Sequence, residues 1–174
     1  MNGIEEGVIN CTMFENGIRY LGFASVEMPN KVSKTFTMNG AGIAGDIDIP
    51  IVGHRDAMTI KVNFRDTSEA AYILAEERVH IVDLRVVHQT LGATDSELGE
   101  SGHKFVVEMI PKSLNGGTVA PASAQAASGE YSVLSIKEYI NGKIVSDIDP
   151  RRFRDVDHTG KDRLANTRNM LGLE

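Results

Sequence analysis

The chain has 174 residues and a net charge of −6, enough length for one domain with a real core. It contains no basic run, which excludes tight nucleic-acid binding, because that needs clustered Lys and Arg to displace phosphate counterions. Its single cysteine, Cys11, makes no internal disulfide, and no apolar stretch approaches the roughly 20 residues that span a bilayer. Seventeen glycines with scarce aromatics and no Trp suit a turn-rich β protein. The opening MNGIEEGVIN lacks a charged n-region and an apolar core, so no secretory signal is expected there, and the sequon Asn10-Cys11-Thr12 then carries no meaning.

Val8 to Phe14 and Ile18 to Met28 flank Glu15-Asn16-Gly17, which predicts an opening hairpin closed by Pro29. Both faces of its second strand are partly apolar, as in a strand covered on two sides. Lys31 to Met38 reads as a strand in which Val32, Lys34, Phe36 and Met38 share one face. Gly40-Ala41-Gly42-Ile43-Ala44-Gly45 matches a dinucleotide fingerprint. That fingerprint needs a helix to begin within it, whereas Asp46-Ile47-Asp48-Ile49-Pro50 alternates like a strand. The segment is read as a flexible Gly-rich loop leading into a strand.

Ala57 to Arg65 shows the clearest alternation, with Met58, Ile60, Val62 and Phe64 facing one way. Asp66 offers an N-cap and Glu69 completes a capping box for a helix over Thr67 to Arg78. Val79 to His88 returns to strand, and its apolar parity switches near Ile81-Val82, which predicts a bulge there. Leu91 to His103, with Asp95, Glu97 and Glu100, reads as a polar loop. Phe105 to Ile110 reads as a strand, and Pro111 to Gly129 as a long loop, mobile in an isolated subunit. Tyr131 to Ile140 and Lys143 to Ile148 flank Asn141-Gly142, the strongest short hairpin signal in the chain. Pro150 ends that strand. A charged arm follows from Arg151 to Lys161, then a segment with helical propensity from Asp162 to Leu173. Seven to nine strands and one inserted helix predict a mainly β fold, an antiparallel β-sandwich or barrel with one α-helix.

The polar residues do not assemble into catalytic or metal chemistry. His80 and His88 share a strand face but lie ~26 Å apart at ~3.3 Å per residue, too far to share an ion. His54, His103 and His158 are placed in loops without metal-ligand spacing, so surface or half-buried histidines are expected. Cys11 has no basic neighbour to activate it, and there is no G-x-S-x-G elbow. Asp46/Asp48 and Asp147/Asp149 pair carboxylates on strand faces, which suits acid–base work but more often marks a solvated face.

The C-terminal third carries a resemblance. Tyr139, Gly142-Lys143, Ile148-Asp149, Gly160-Lys161-Asp162-Arg163-Leu164 and Arg168-Asn169-Met170-Leu171-Gly172-Leu173 occur in this order. This run resembles the end of the major tail tube proteins of contractile-tailed phages, relatives of R-type bacteriocin and type VI secretion tubes. The Gly-rich segment followed by Gly53-His54 is similar to that family too. The likeness extends from about Gly17 to Leu173. It is strongest in Gly40–Arg65 and Tyr131–Leu173, and the loop Asn115–Ser128 departs from compact members.

The resemblance implies a single tail tube domain over 1–174, with an N-terminal arm at 1–7 and a C-terminal arm at 150–174. It implies a structural protein, not an enzyme, with no catalytic residue, cofactor or metal. Copies would stack as hexameric rings into a contractile tail's inner tube, located in the virion tail and assembled in the bacterial host cytoplasm. The implied partners are further copies of itself, the tail sheath protein, baseplate or tail-tip and terminator proteins, and the tape-measure protein. DNA would transit a mixed or acidic lumen without specific binding, and no membrane would be involved. Assembly contacts are assigned to Gly40, Gly42 and Gly45 and to Arg163, Leu164, Arg168, Leu171 and Leu173. Further reach to the next ring is expected from Met1 to Gly7, Leu91 to His103, Pro111 to Gly129 and Arg151 to Glu174. Three alternatives stay open: a monomeric small-ligand-binding β-barrel, a hydrolase or isomerase on a similar barrel, and a bacteriocin or secretion tube that carries no DNA.

Overall fold

The computed structural model describes residues 4–92 and 97–173, with side chains from residue 7 onward. Asp95, Met1 to Gly3 and Glu174 lie outside the described residues. Eleven antiparallel strands and two short helices are present among them, in place of seven to nine strands and one helix. The strands are β1 (Ile4–Glu15), β2 (Arg19–Leu21), β3 (Ser25–Glu27), β4 (Ser33–Met38), β5 (Ile47–Arg55), β6 (Thr59–Asn63), β7 (His80–Leu91), β8 (Leu98–Asn115), β9 (Ser128–Ile140), β10 (Lys143–Asp149) and β11 (Arg154–Val156). The helices are α1 (Glu69–Leu74) and α2 (Ala165–Leu171).

Nine strands form one open sheet in the order β11-β10-β9-β8-β7-β1-β2, with β6 branching from β9 and carrying β3 on its far side. β4 and β5 form a separate two-stranded ribbon. No closed barrel forms among the described residues. The branch is possible because β9 is long: its first half pairs with β6 and its second half with β10. The branch brings β6 over the sheet's inner face, where Met58, Ile60, Val62 and Phe64 are all buried, as their alternation predicts. They pack with Met13, Leu21, Val82, Leu84, Val107, Met109, Tyr131, Val133 and Ile136, and α1 contributes Ala71 and Leu74. The Asn141-Gly142 turn forms as expected, with φ of 47° and 80°, the two positive values a type I′ turn requires.

Four local expectations need correction. The opening hairpin's second strand is interrupted after Leu21, and its continuation, β3, leaves β1 to pair with β6. The helix is capped by Ser68 rather than Asp66, has no side-chain cap bond, and ends at Leu74 instead of reaching Arg78. It stops because the chain turns so that the Glu76 carbonyl and the Arg78 guanidinium reach the buried pair His80 and Glu15. β7 has no bulge at Ile81-Val82, since it pairs with β8 in unbroken register from His80 to Leu91. Ile81 points outward at 42% exposure, and the register shifts lie in β1 instead. The polar stretch Leu91 to His103 is mostly strand, and β8 runs on through Pro111 to Asn115 past a register shift. The remaining loop is fastened by backbone bonds from Thr118 to Gln125, Ala126 to Arg65, and Phe64 to Ala127.

Candidate assembly surfaces

Cross-strand pairing decides which side chains of the β4–β5 ribbon share a face. Phe36 sits opposite Ile49 and Met38 opposite Ile47, while Thr35 faces Pro50 and Thr37 faces Asp48. One face is therefore mainly apolar, with Ile51 continuing it and Lys34 at its base, and the other is polar, with the Thr37 hydroxyl donating to Asp48 Oδ1 at 2.7 Å. The apolar face stands in water: Phe36 is 49% exposed and Ile47 47%. Fully covering such a side chain is worth about 1.5–3 kcal/mol, so this ribbon forgoes much of what its composition offers. A lone two-stranded ribbon is marginal in water. Gly40, Gly42 and Gly45 form the loop at its tip, Gly40 and Gly42 at φ of 150° and 92°, and open space surrounds all three.

The base of the ribbon is pinned by the C-terminal segment. Arg55 Nη2 lies 2.8 Å from Asp155 Oδ2, with both side chains largely buried. Lys31 Nζ lies 2.6 Å from Glu138 Oε1. Gly53 adopts φ of +71°, and a Cβ there would fall 2.5 Å from the Leu164 side chain. Glycine is therefore required at 53 on two counts, backbone conformation and space. Arg168 Nη1 donates to the Phe153 carbonyl and to Asp162 Oδ2, each at 2.6 Å. Burial pushes the Asp162 carboxyl up, but the Arg168 bond and the backbone N–H groups of Leu164 and Asp155 outweigh it and hold it below the usual range. The charged arm is thus docked. Of the five predicted C-terminal contact residues, Arg163, Leu164 and Arg168 are engaged within the chain. Leu171 and Leu173 are 58% and 53% exposed.

A third surface was missed in the sequence. β3 faces the inner side of β1, β7 and β8 across an apolar groove of about 340 Å3, lined by Val8, Phe23, Val26, Met28, Val86 and Phe105 among others. Cys11 also lines it. The groove continues the core beyond the part that β6 and α1 cover.

The opposite face of the sheet mixes exposed apolar side chains, Ile81 and Val87, with acids that are paired. Asp83 faces Lys104 at 3.2 Å and Arg85 at 3.4 Å. Asp147 faces Arg154 at 2.8 Å and Lys137 at 3.4 Å. Asp149 faces Arg151 and Arg152, and Arg151 also meets Glu108. Asp147 and Asp149 are buried, so they are not a bare solvated strand face.

The histidines also differ from expectation. His80 is fully buried, with Nδ1 2.8 Å from Glu15 Oε1 and Nε2 3.0 Å from the Glu76 carbonyl. Burial pushes the Glu15 carboxyl up, and its hydrogen bonds to His80 and Arg78 more than reverse this, leaving it below the usual range. His103 lies on β8 with its ring centroid 4.3 Å from that of His88, and His54 lies on β5. No group of three potential metal ligands occurs among the described residues.

A model of the family described as Phage tail tube protein FII matches residues 5–172. The chain is also similar to solved components of contractile particles. These include the sheath/tube terminator of the PVC extracellular contractile injection system in its extended state, at 13% identity and TM-score 0.49, covering 75% of this chain and 94% of that one. The sheath-tube complex of the same system matches at 15% identity and TM-score 0.46, covering 76% and 88%. The tube-terminating cap of the anti-feeding prophage matches at 16% identity and TM-score 0.45, covering 76% and 87%. No curated protein matches the chain in sequence.

Proposed function

Because the chain belongs to the phage tail tube protein FII family, we propose that it builds the inner tube of a contractile tail from hexameric rings stacked end to end. The family is structural and non-enzymatic, and its members are tail tube proteins of phages or phage-like contractile injection systems. The observation that carries the finer reading is the amphipathic ribbon: a subunit that projects an uncovered apolar β-surface is built to be completed by a neighbour. The open strand edges of the main sheet point the same way, since closing edges around a ring removes an aggregation hazard.

In this reading the ion-paired face of β7–β10 would line the lumen. Its acids are matched by Lys and Arg, so a passing polymer would meet no excess of one charge there. DNA or tape-measure protein would slide along it without being gripped. Sheath, baseplate and terminator proteins are the partners, in keeping with the particles that similar chains come from.

Sedimentation of the purified protein from dilute to concentrated, paired with negative-stain electron microscopy, tests this reading. Rings or hollow tubes of uniform width are expected. A monodisperse monomer at every concentration, with and without a baseplate-tip template, would overturn it.

A further inference from the structure

The ribbon and the groove are different surfaces of the subunit, and Met28, which lines the groove, lies five residues before β4. The ribbon's base is pinned beside β10 and β11 by the Arg55–Asp155 pair and by Leu164 seated over Gly53. The groove opens beside β1 and β7, because β3 hydrogen-bonds only to β6 and leaves a seam against them. Each surface is mainly apolar where it is uncovered. The groove carries no Lys, Arg, Asp or Glu, and His88 and Ser25 are the polar residues among an otherwise apolar lining, which suits an apolar occupant. The ribbon offers Phe36, Met38, Ile47, Ile49 and Ile51 on one face.

We propose that the apolar face of one copy's ribbon seats in the β1/β3/β7 groove of the next copy. This rests on the self-assembling reading above and names the contact. The two surfaces differ, so the contact is heterologous: every copy gives one ribbon and receives another. Such a contact continues head to tail and closes into a ring when its rotation closes. It also completes both surfaces at once, covering the groove with the residues that the ribbon leaves in water.

Cys11, the chain's one cysteine, lines the groove and makes the contact directly testable. Met38→Cys and Ile49→Cys are introduced separately, and particles that pellet are treated with a short bis-maleimide. The expected result is a ladder of covalent oligomers with at least one of the two variants, lost when Cys11→Ser is added and absent from dilute protein. Pelleted particles that give no ladder with either variant would overturn the proposal while leaving self-assembly standing. A protein that never pellets would overturn the tube reading and this contact with it. In parallel, Phe36→Asp is expected to abolish pelleting with an unchanged unfolding midpoint, while Phe36→Leu and the polar-face control Thr35→Asp pellet normally. Normal pelleting by Phe36→Asp would also overturn the proposal.

Discussion

Two segments of this chain, the C-terminal arm and the β4–β5 ribbon, end up in opposite states. The C-terminal segment is rich in charge and is docked: Asp155 and Leu164 are buried, and Asp162 gathers Arg168 and two backbone N–H groups. The β4–β5 ribbon is rich in Phe, Met and Ile, and it is the part that stands out. Charge did not keep the first in solvent, because its buried acid, Asp155, found the Arg55 guanidinium on β5. Apolar composition did not bury the second, because nothing in its own chain lies over it. Exposure here reflects where partners sit rather than how polar a segment is.

Gly53→Val joins the two segments and should have the largest effect. It puts a β-branched residue at positive φ and drives it into Leu164, which together cost about 3–4 kcal/mol. The sheet should stay folded in chemical denaturation while amides of 154–168 lose hydrogen-exchange protection and the ribbon loses its fixed base. Removing Glu15 sharpens the contrast from the far end of the sheet. Glu15→Ala leaves buried His80 without its carboxylate, while half-exposed Arg78 keeps Glu76, and should cost about 2–3 kcal/mol. That loss should appear in global unfolding and leave the C-terminal amides as protected as before.

Leu164→Ala is a milder form of the first change, expected to cost about 2 kcal/mol, again read locally by exchange. Acid should loosen the docked segment. The Asp162 pKa is depressed in the folded chain, so its contribution is present above the usual value of 3.8 and is lost as pH falls through the lower folded value. An NMR titration should show Leu164 and Phe153 amides moving below pH 4. The smallest effect belongs to Leu171→Asp, which should change stability by no more than about 0.5 kcal/mol, yet weaken pelleting if the exposed C-terminal end joins ring to ring.

Much of the architecture was readable from local chemistry. β6 alternates without exception, and the β9–β10 turn carries the Asn-Gly pair that its two positive φ values demand. The family resemblance rested on short pieces whose order, rather than content, was informative. Errors came where the decisive partner is distant in sequence. The apparent parity switch in β7 is explained by Ile81 facing outward and by Asp83 being paired with Lys104, 21 positions on. His80 owes its burial to Glu15, on β1. The C-terminal arm reads as free because Arg55 and Gly53, its anchors, are about a hundred residues earlier. The ribbon's apolar face was visible in the alternation of Phe36 with Met38 and of Ile47 with Ile49 and Ile51. Recognising it required pairing those strands across the Gly40–Gly45 loop.

Electron cryomicroscopy of the assembled particle would record what covers the ribbon. A closed ring is expected in which Phe36, Met38 and Ile49 of each copy lie against Val26, Val86 and Phe105 of its neighbour, with the C-terminal segment still docked on its own subunit. A ring in which the ribbon remains in solvent and another surface joins the copies would contradict it.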